Sequence, residues 1–103
     1  MDNGSPETFG PDELYMIEEA LRGTRGLEEL YTSSSEGRLD VFRRAWLADG
    51  IIDSGATITQ DGEMRMTIGG KLVRTIKVED LDCAIMQAQS HLLDYLDAVV
   101  SAR

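Results

Sequence analysis

Apolar residues recur with two different periods along this chain. Near both ends they return every three or four positions, which is typical of a helix with one buried face. Between residues 56 and 78 they return every second position, which is typical of a half-buried strand. We therefore predict an α+β fold in which a three-stranded antiparallel β-meander carries N-terminal helices and a long C-terminal helix packed on one face. Residues 1–10 are expected to form a flexible lead-in and residues 11–103 a single domain, an ordinary length for one hydrophobic core.

The first helix is predicted to span Pro11–Arg22. Gly10 stands at the N-cap position and proline at the first helical position, where its missing N–H costs nothing. Phe9 and Leu14 have the spacing of a hydrophobic staple across this cap. Three apolar residues at helical spacing should face the core: Leu14, Ile17 and Leu21.

Between residues 24 and 49 the sequence allows one short helical turn and predicts a second helix. Three apolar residues fit one short turn before a serine loop at 33–35: Leu27, Leu30 and Tyr31. A second helix is expected over Arg38–Asp49, because four apolar residues share one helical face before Gly50 can end it: Leu39, Phe42, Ala45 and Trp46. Trp46, at the centre of this face, is expected to be buried.

The period-two segment turns first at Asp61-Gly62. An Asp-Gly pair usually indicates a two-residue hairpin loop, but here that loop would place Ile58 opposite Arg65. A three-residue loop over residues 60–62, with a left-handed glycine at its end, pairs Ile58 with Met64 instead. Both apolar side chains then lie on the buried face, so we expect this register.

The second corner of the meander is expected at Gly69-Gly70. The same parity argument favours a loop over residues 68–70, which pairs Met66 with Leu72 on the buried face. The third strand follows, and its alternation is broken at Val73-Arg74.

The last helix is predicted to run from Asp80 to Ser101. A broad apolar stripe centred on Leu92 should cover the sheet, so this leucine is expected to be buried. A second, narrower row faces away from the stripe at intervals of seven residues: Met86, Leu93 and Val100. We interpret this row either as a widened core face or as the seam of a homodimer.

The chain has a formal net charge of −9, and most of its acids lie outside the predicted sheet. Residues 1–36 hold nine acidic and two basic residues, residues 37–78 hold five and seven, and residues 79–103 hold five and one. Phosphate groups would repel such a chain, so direct binding of nucleic acid is not expected. A basic protein surface would attract it instead.

The sequence contains no pattern typical of a membrane, secreted or cofactor-binding protein. No apolar run approaches the roughly 20 residues of a membrane span, and the N-terminus lacks the pattern of a signal peptide. Cys83 is the sole cysteine and cannot form an internal disulfide, so we expect a cytoplasmic location. Cys83 and His91 lie two helical turns apart, too far to bind one metal ion, and no cofactor or phosphate-binding motif is found.

One segment resembles a catalytic signature. Ile51-Ile52 followed by Asp53-Ser54-Gly55-Ala56 is similar to the active-site motif of retropepsin-like aspartic proteases, which are dimers of subunits about this long. The resemblance implies that Asp53 supplies one carboxylate of a proton-sharing pair. The alternative is a helix-to-strand turn in which Asp53 and Ser54 make local backbone hydrogen bonds. The helical ending of this chain differs from the nearly all-β protease fold and favours the turn.

Three interpretations of function follow. In the first, the chain is a non-enzymatic module that inhibits or neutralises a partner by occupying a basic, nucleic-acid-binding surface, as anti-CRISPR, DNA-mimic and immunity proteins do; only size and charge suggest this class. The acids proposed to contact that partner are Glu18, Glu19, Glu28, Glu29, Asp94 and Asp97. The second interpretation is a homodimeric chaperone or assembly scaffold that uses the C-terminal helix, and the third is the protease. Against the first, exposed acids often serve only to keep a small protein soluble.

Overall fold

The computed structural model describes residues 8–95 of the chain and has an α+β fold. Its elements, in chain order, are helix α1 (Pro11–Arg22), strands β1 (Tyr31–Ser35), β2 (Arg38–Leu47), β3 (Gly50–Thr59), β4 (Glu63–Ile68) and β5 (Lys71–Lys77), helix α2 (Leu81–Ser90) and a π-helical turn (His91–Tyr95). The predicted lead-in before Thr8 and the predicted helix beyond Tyr95 lie outside the described residues.

The five strands form one antiparallel sheet in the order of the sequence, β1-β2-β3-β4-β5. The α+β class and the meander are therefore confirmed, but the three predicted strands are only β3, β4 and β5. Between Thr8 and the first strand there is one helix instead of several. Helices and sheet share a single buried cluster, whose largest members are Phe9, Ile17, Leu21, Leu27, Leu39, Val41, Ile58, Met64, Met66, Val78 and Leu92.

Helix α1 confirms its predicted bounds and cap. The backbone N–H of Gly10 donates to Glu13 Oε1 at 2.9 Å, and Pro11 occupies the first helical position. Phe9 and Leu14 are both buried, as the predicted staple requires. The three core residues predicted for this helix are buried as well: Leu14, Ile17 and Leu21.

The predicted helix over Arg38–Asp49 is wrong, because Arg38–Leu47 is the strand β2. Each of its ten residues has a partner on β3, so the backbone hydrogen bonds that a helix would satisfy locally are satisfied across strands. The serines at 33–35 lie in β1, which pairs with β2, and not in a loop. Leu27 and Leu30 are buried, but no helical turn forms there.

The two corners of the predicted meander have different outcomes. The three-residue loop over 60–62 is confirmed, with Gly62 at a φ of 85° and Ile58 opposite Met64. The predicted loop over residues 68–70 is wrong. The loop contains only Gly69-Gly70, both at positive φ, and Leu72 lies opposite Thr67 instead of Met66. A β-bulge in the pairing of β4 with β5 adds one residue to β5, so that Ile76 lies opposite Met64 on the inward side. The break in the apolar alternation at Val73-Arg74 coincides with this bulge.

Burial separates the two large residues expected in the core. Leu92 is fully buried, as predicted, whereas Trp46 is 71% exposed, so its predicted burial is wrong. Trp46 belongs to a strand and points away from the face that the helices cover. No helix among residues 8–95 is long and apolar enough to cross a membrane.

Candidate partner-binding surface

A two-stranded ribbon extends beyond the rest of the sheet. Strands β2 and β3 have ten residues each, but β1 pairs only with Arg38–Phe42 and β4 only with Ser54–Ile58. The remaining halves of β2 and β3 therefore pair only with each other among the described strands. We call residues 43–53 the ribbon.

The outer side of the ribbon exposes large apolar side chains. Trp46 and Ile51 lie directly opposite each other in the β2–β3 register and are 71% and 50% exposed. Tyr31, on the neighbouring strand β1, is 45% exposed and belongs to the same side of the sheet. The buried cluster that the helices share with the sheet lies on the other side, so these side chains are exposed together on one side of the sheet.

Arg44 links the ribbon to the aromatic residues beside it. Its guanidinium donates two hydrogen bonds to Asp53, from Nε at 2.9 Å and from Nη2 at 3.3 Å. The same group lies 5.2 Å from the ring centre of Tyr31 and 5.8 Å from that of Phe42, a cation–π arrangement. The two rings stack 5.0 Å apart. The hydrogen bonds to Asp53 raise the pKa of Arg44 above its usual value.

We define the ribbon face as Tyr31, Arg44, Trp46 and Ile51. Sequence reasoning missed it, since it placed Trp46 in the core and gave no role to Arg44. The exposure of Trp46 depends on how far β1 and β4 extend along β2 and β3, which the local sequence around Trp46 does not indicate. The pair Arg43-Arg44 gave no signal of it, because both arginines also fit the polar side of the predicted helix.

A shallow cavity of about 260 Å³ adjoins the ribbon face. Its lining combines the loop before β1 with the base of the ribbon: Gly26, Leu27, Glu28, Glu29, Leu30, Tyr31, Arg43, Arg44 and Trp46. Two of the predicted partner-binding acids, Glu28 and Glu29, therefore lie beside Trp46. Glu28 accepts a hydrogen bond from the backbone N–H of Gly26 at 3.0 Å, which fixes it at the rim.

The other predicted acids do not join this surface. Glu18 forms an ion pair with Arg22 at 3.3 Å and accepts hydrogen bonds from Thr32 at 3.0 Å and Ser34 at 3.3 Å, so it fastens α1 to β1. Glu19 is exposed on α1. Asp94 accepts a hydrogen bond from Ser90 within the C-terminal helical segment, which is α2 together with the π-helical turn. Asp97 lies outside the described residues.

The two described residues of the predicted dimer row, Met86 and Leu93, differ in their exposure. Met86 is 58% exposed on α2, whereas Leu93 is half-buried and packs against the core. Val100 lies outside the described residues.

The protease-like segment forms part of strand β3 and not a turn, so the local hydrogen bonds expected of a turn are wrong. Asp53 lies opposite Arg44 in the register of β2 with β3. Ser54 is buried, and its Oγ donates to the backbone carbonyl of His91 at 3.4 Å. Both side chains therefore make contacts across the fold: Asp53 binds an arginine, and Ser54 binds the backbone where α2 meets the π-helical turn.

The two potential metal ligands have separate surroundings. His91 is buried, with Nε2 2.9 Å from the carbonyl of Thr67, and burial lowers its pKa. Cys83 is half-buried, and its backbone N–H donates to the N-cap residue Asp80 at 2.7 Å. Within residues 8–95, no three His, Cys, Asp or Glu side chains are grouped closely enough to hold a metal ion.

No protein-family model matches the chain, and comparisons with curated proteins and with solved structures give no significant match.

Proposed function

We propose that this chain is a non-enzymatic protein-binding module that docks on its partner through the ribbon face. The observation that carries the proposal is the exposure of Trp46, the sole tryptophan, opposite an exposed isoleucine on a projecting ribbon. Burial of a large apolar side chain is favoured over its exposure to water by roughly 1.5–3 kcal/mol. Burial against a partner would recover this free energy.

The composition of the ribbon face supports the same function. The residues that dominate binding energy in protein interfaces are most often tryptophan, tyrosine and arginine, and Trp46, Tyr31 and Arg44 adjoin one another here. Arg44 is already held by Asp53 and by two aromatic rings. Since its side chain is fixed before binding, less conformational entropy is lost when a partner covers it.

The charge of the chain suggests the kind of partner. Glu28 and Glu29 form an acidic rim beside the apolar ribbon face, and the chain as a whole has a net charge of −9. Such a surface favours a partner with a basic rim around an apolar centre, because complementary charges accelerate association. In our proposal the module inhibits a cytoplasmic partner by occupying a basic, nucleic-acid-binding surface, the mode of anti-CRISPR, DNA-mimic and immunity proteins.

The proposal can be tested by affinity capture from a host lysate with two matched variants. Trp46→Ala removes the centre of the ribbon face, and Met86→Ala removes a similarly exposed apolar side chain from α2. A specific partner should be retained by the wild type and by Met86→Ala but lost from Trp46→Ala. Retention by both variants would contradict the role of the ribbon face.

A homodimeric scaffold that uses the C-terminal helix is the second candidate, and the exposure of Met86 favours it. Sedimentation equilibrium distinguishes the two proposals. A dimer that Met86→Ala dissociates and Trp46→Ala does not would support the scaffold.

A further inference from the structure

Strand β5 forms an open edge of the sheet. It pairs with β4 on one side, and no described strand pairs with its other side. All of its residues except Ile76 are exposed. The backbone groups on its free side are therefore available to a further strand, as in peptide recognition by strand addition.

The charge of this edge is opposite to that of the whole chain. β5 contains three basic residues and no acidic one: Lys71, Arg74 and Lys77. Three arginines elsewhere in the sheet are neutralised by acids of the chain at 2.9–3.3 Å: Arg38, Arg44 and Arg65. Lys71 and Arg74 form no ion pair within the described residues, although Arg74 lines a cavity together with Asp94, so this part of β5 presents a basic strip.

Basic residues also protect sheet edges from unwanted pairing, and this role has to be weighed against binding. Charge alone would be enough to protect the edge. On β5, however, Leu72 and Val73 are 58% and 49% exposed between Lys71 and Arg74. The edge thus offers backbone groups, apolar contacts and positive charge together.

We propose that β5 binds an extended acidic segment of another protein as a sixth strand of the sheet. Alternate acidic side chains would pair with Lys71 and Arg74, and the side chains between them would cover Leu72 and Val73. The net charge of −9 does not prevent this, because at physiological salt charges are screened beyond about 8 Å. The residues of this edge differ from those of the ribbon face, which belong to β1, β2 and β3.

Three blocked octapeptides serve as probes in fluorescence anisotropy: alternating Glu-Val, alternating Lys-Val and alternating Glu-Pro. Glu-Val should bind about tenfold more tightly than Lys-Val, because two favourable ion pairs replace two repulsive contacts. Glu-Pro keeps the charge but lacks the backbone N–H of every second residue, and proline is poorly accommodated in a strand, so it should bind more weakly than Glu-Val. Backbone amide shifts in NMR should change within Lys71–Lys77.

Two charge reversals provide the matched variants. Arg74→Glu and Arg25→Glu each change the net charge from −9 to −11, but Arg25 lies in the loop before β1. Arg74→Glu should weaken Glu-Val binding about tenfold, while Arg25→Glu should change it less than about twofold. Tighter binding of Lys-Val, equal binding of Glu-Pro, or equal effects of the two variants would each overturn the proposal. Absence of Glu-Val binding to the folded wild type would also overturn it.

Discussion

Arg44 and Asp53 face each other across β2 and β3 at the base of the ribbon, and their two hydrogen bonds hold the guanidinium over the ring of Tyr31. The carboxylate thereby fixes an arginine that also contacts the aromatic residues of β1 and β2. Asp53 belongs to the protease-like segment, and its contact with Arg44 links that segment to the ribbon face. Substitution of Asp53 therefore distinguishes a catalytic carboxylate from one that positions Arg44.

We predict that Asp53→Asn preserves most partner binding, whereas Asp53→Ala weakens it. The amide keeps one oxygen acceptor for Arg44, and alanine keeps none. The melting temperature should fall only slightly in both variants, because an ion pair that is this exposed contributes little to stability. Partner affinity can be measured by calorimetry. In an aspartic protease both variants would abolish peptidase activity equally, and that result would support the protease.

We predict that Leu92→Ala lowers the free energy of unfolding by about 2–5 kcal/mol, because it leaves a cavity between the C-terminal helical segment and the sheet. Urea unfolding followed by circular dichroism measures the change. Leu72→Ala is the control, since Leu72 is largely exposed and its loss should cost less than about 0.5 kcal/mol. An unchanged midpoint for Leu92→Ala would contradict the packing of this segment on the sheet.

Local signals explain which parts of the fold could be predicted. The Gly10-Pro11 cap fixes the start of α1, and parity around Gly62 fixes the register of β3 with β4. Strand β2 was missed because its outward aromatic residues also fit a helical spacing. Its inward row includes Arg43, whose Nη1 donates to the carbonyl of Leu92 at 3.1 Å. Because this contact places a charged side chain in the inward row, the alternation of apolar and polar residues that marks a strand is not visible in the sequence.

The candidate site was predicted only in part, for a related reason. Glu28 and Glu29 were identified by charge, and they do adjoin the ribbon face. Trp46 was expected in the core because it shares one helical face with Leu39, Phe42 and Ala45. Its exposure depends on where β1 and β4 end, which is a property of the assembled sheet.

We predict that His91 makes stability fall as the pH decreases below about 6.5. Burial lowers the pKa of His91 from its ordinary value of 6.5, so the unfolded chain takes up a proton at a higher pH than the folded chain. Its contribution is therefore complete above pH 6.5 and is lost as the pH falls toward the folded pKa. Urea midpoints between about pH 7.5 and about pH 5.5 measure this loss.

The matched variant for this measurement is His91→Gln, which keeps an N–H donor for the carbonyl of Thr67 but does not titrate. The carboxylates contribute equally to both proteins, so the difference between their pH profiles isolates the histidine. The wild type should lose more stability than the variant over this range. Parallel profiles would show that His91 is not responsible.

We predict that reversing Glu28 and Glu29 together to lysine slows association with a basic partner by about tenfold at low salt, with little change in stability. Both acids are exposed and border the ribbon face, so the reversal places positive charge against the basic rim of the partner. Stopped-flow measurement of Trp46 emission gives the association rate. Glu18 is unsuitable for this test, because its contacts with Arg22, Thr32 and Ser34 hold α1 to β1.

The control reverses Glu36 and Glu79, which are also exposed but do not line the cavity at the ribbon. Both double variants change the net charge from −9 to −5, so they weaken long-range attraction equally. Slower association of the Glu28 and Glu29 variant alone would localise the partner at the ribbon. Equal slowing in both would mean that only net charge matters. If neither rate changes, the acids act as a solubility device and the apolar residues of the ribbon face carry recognition without them.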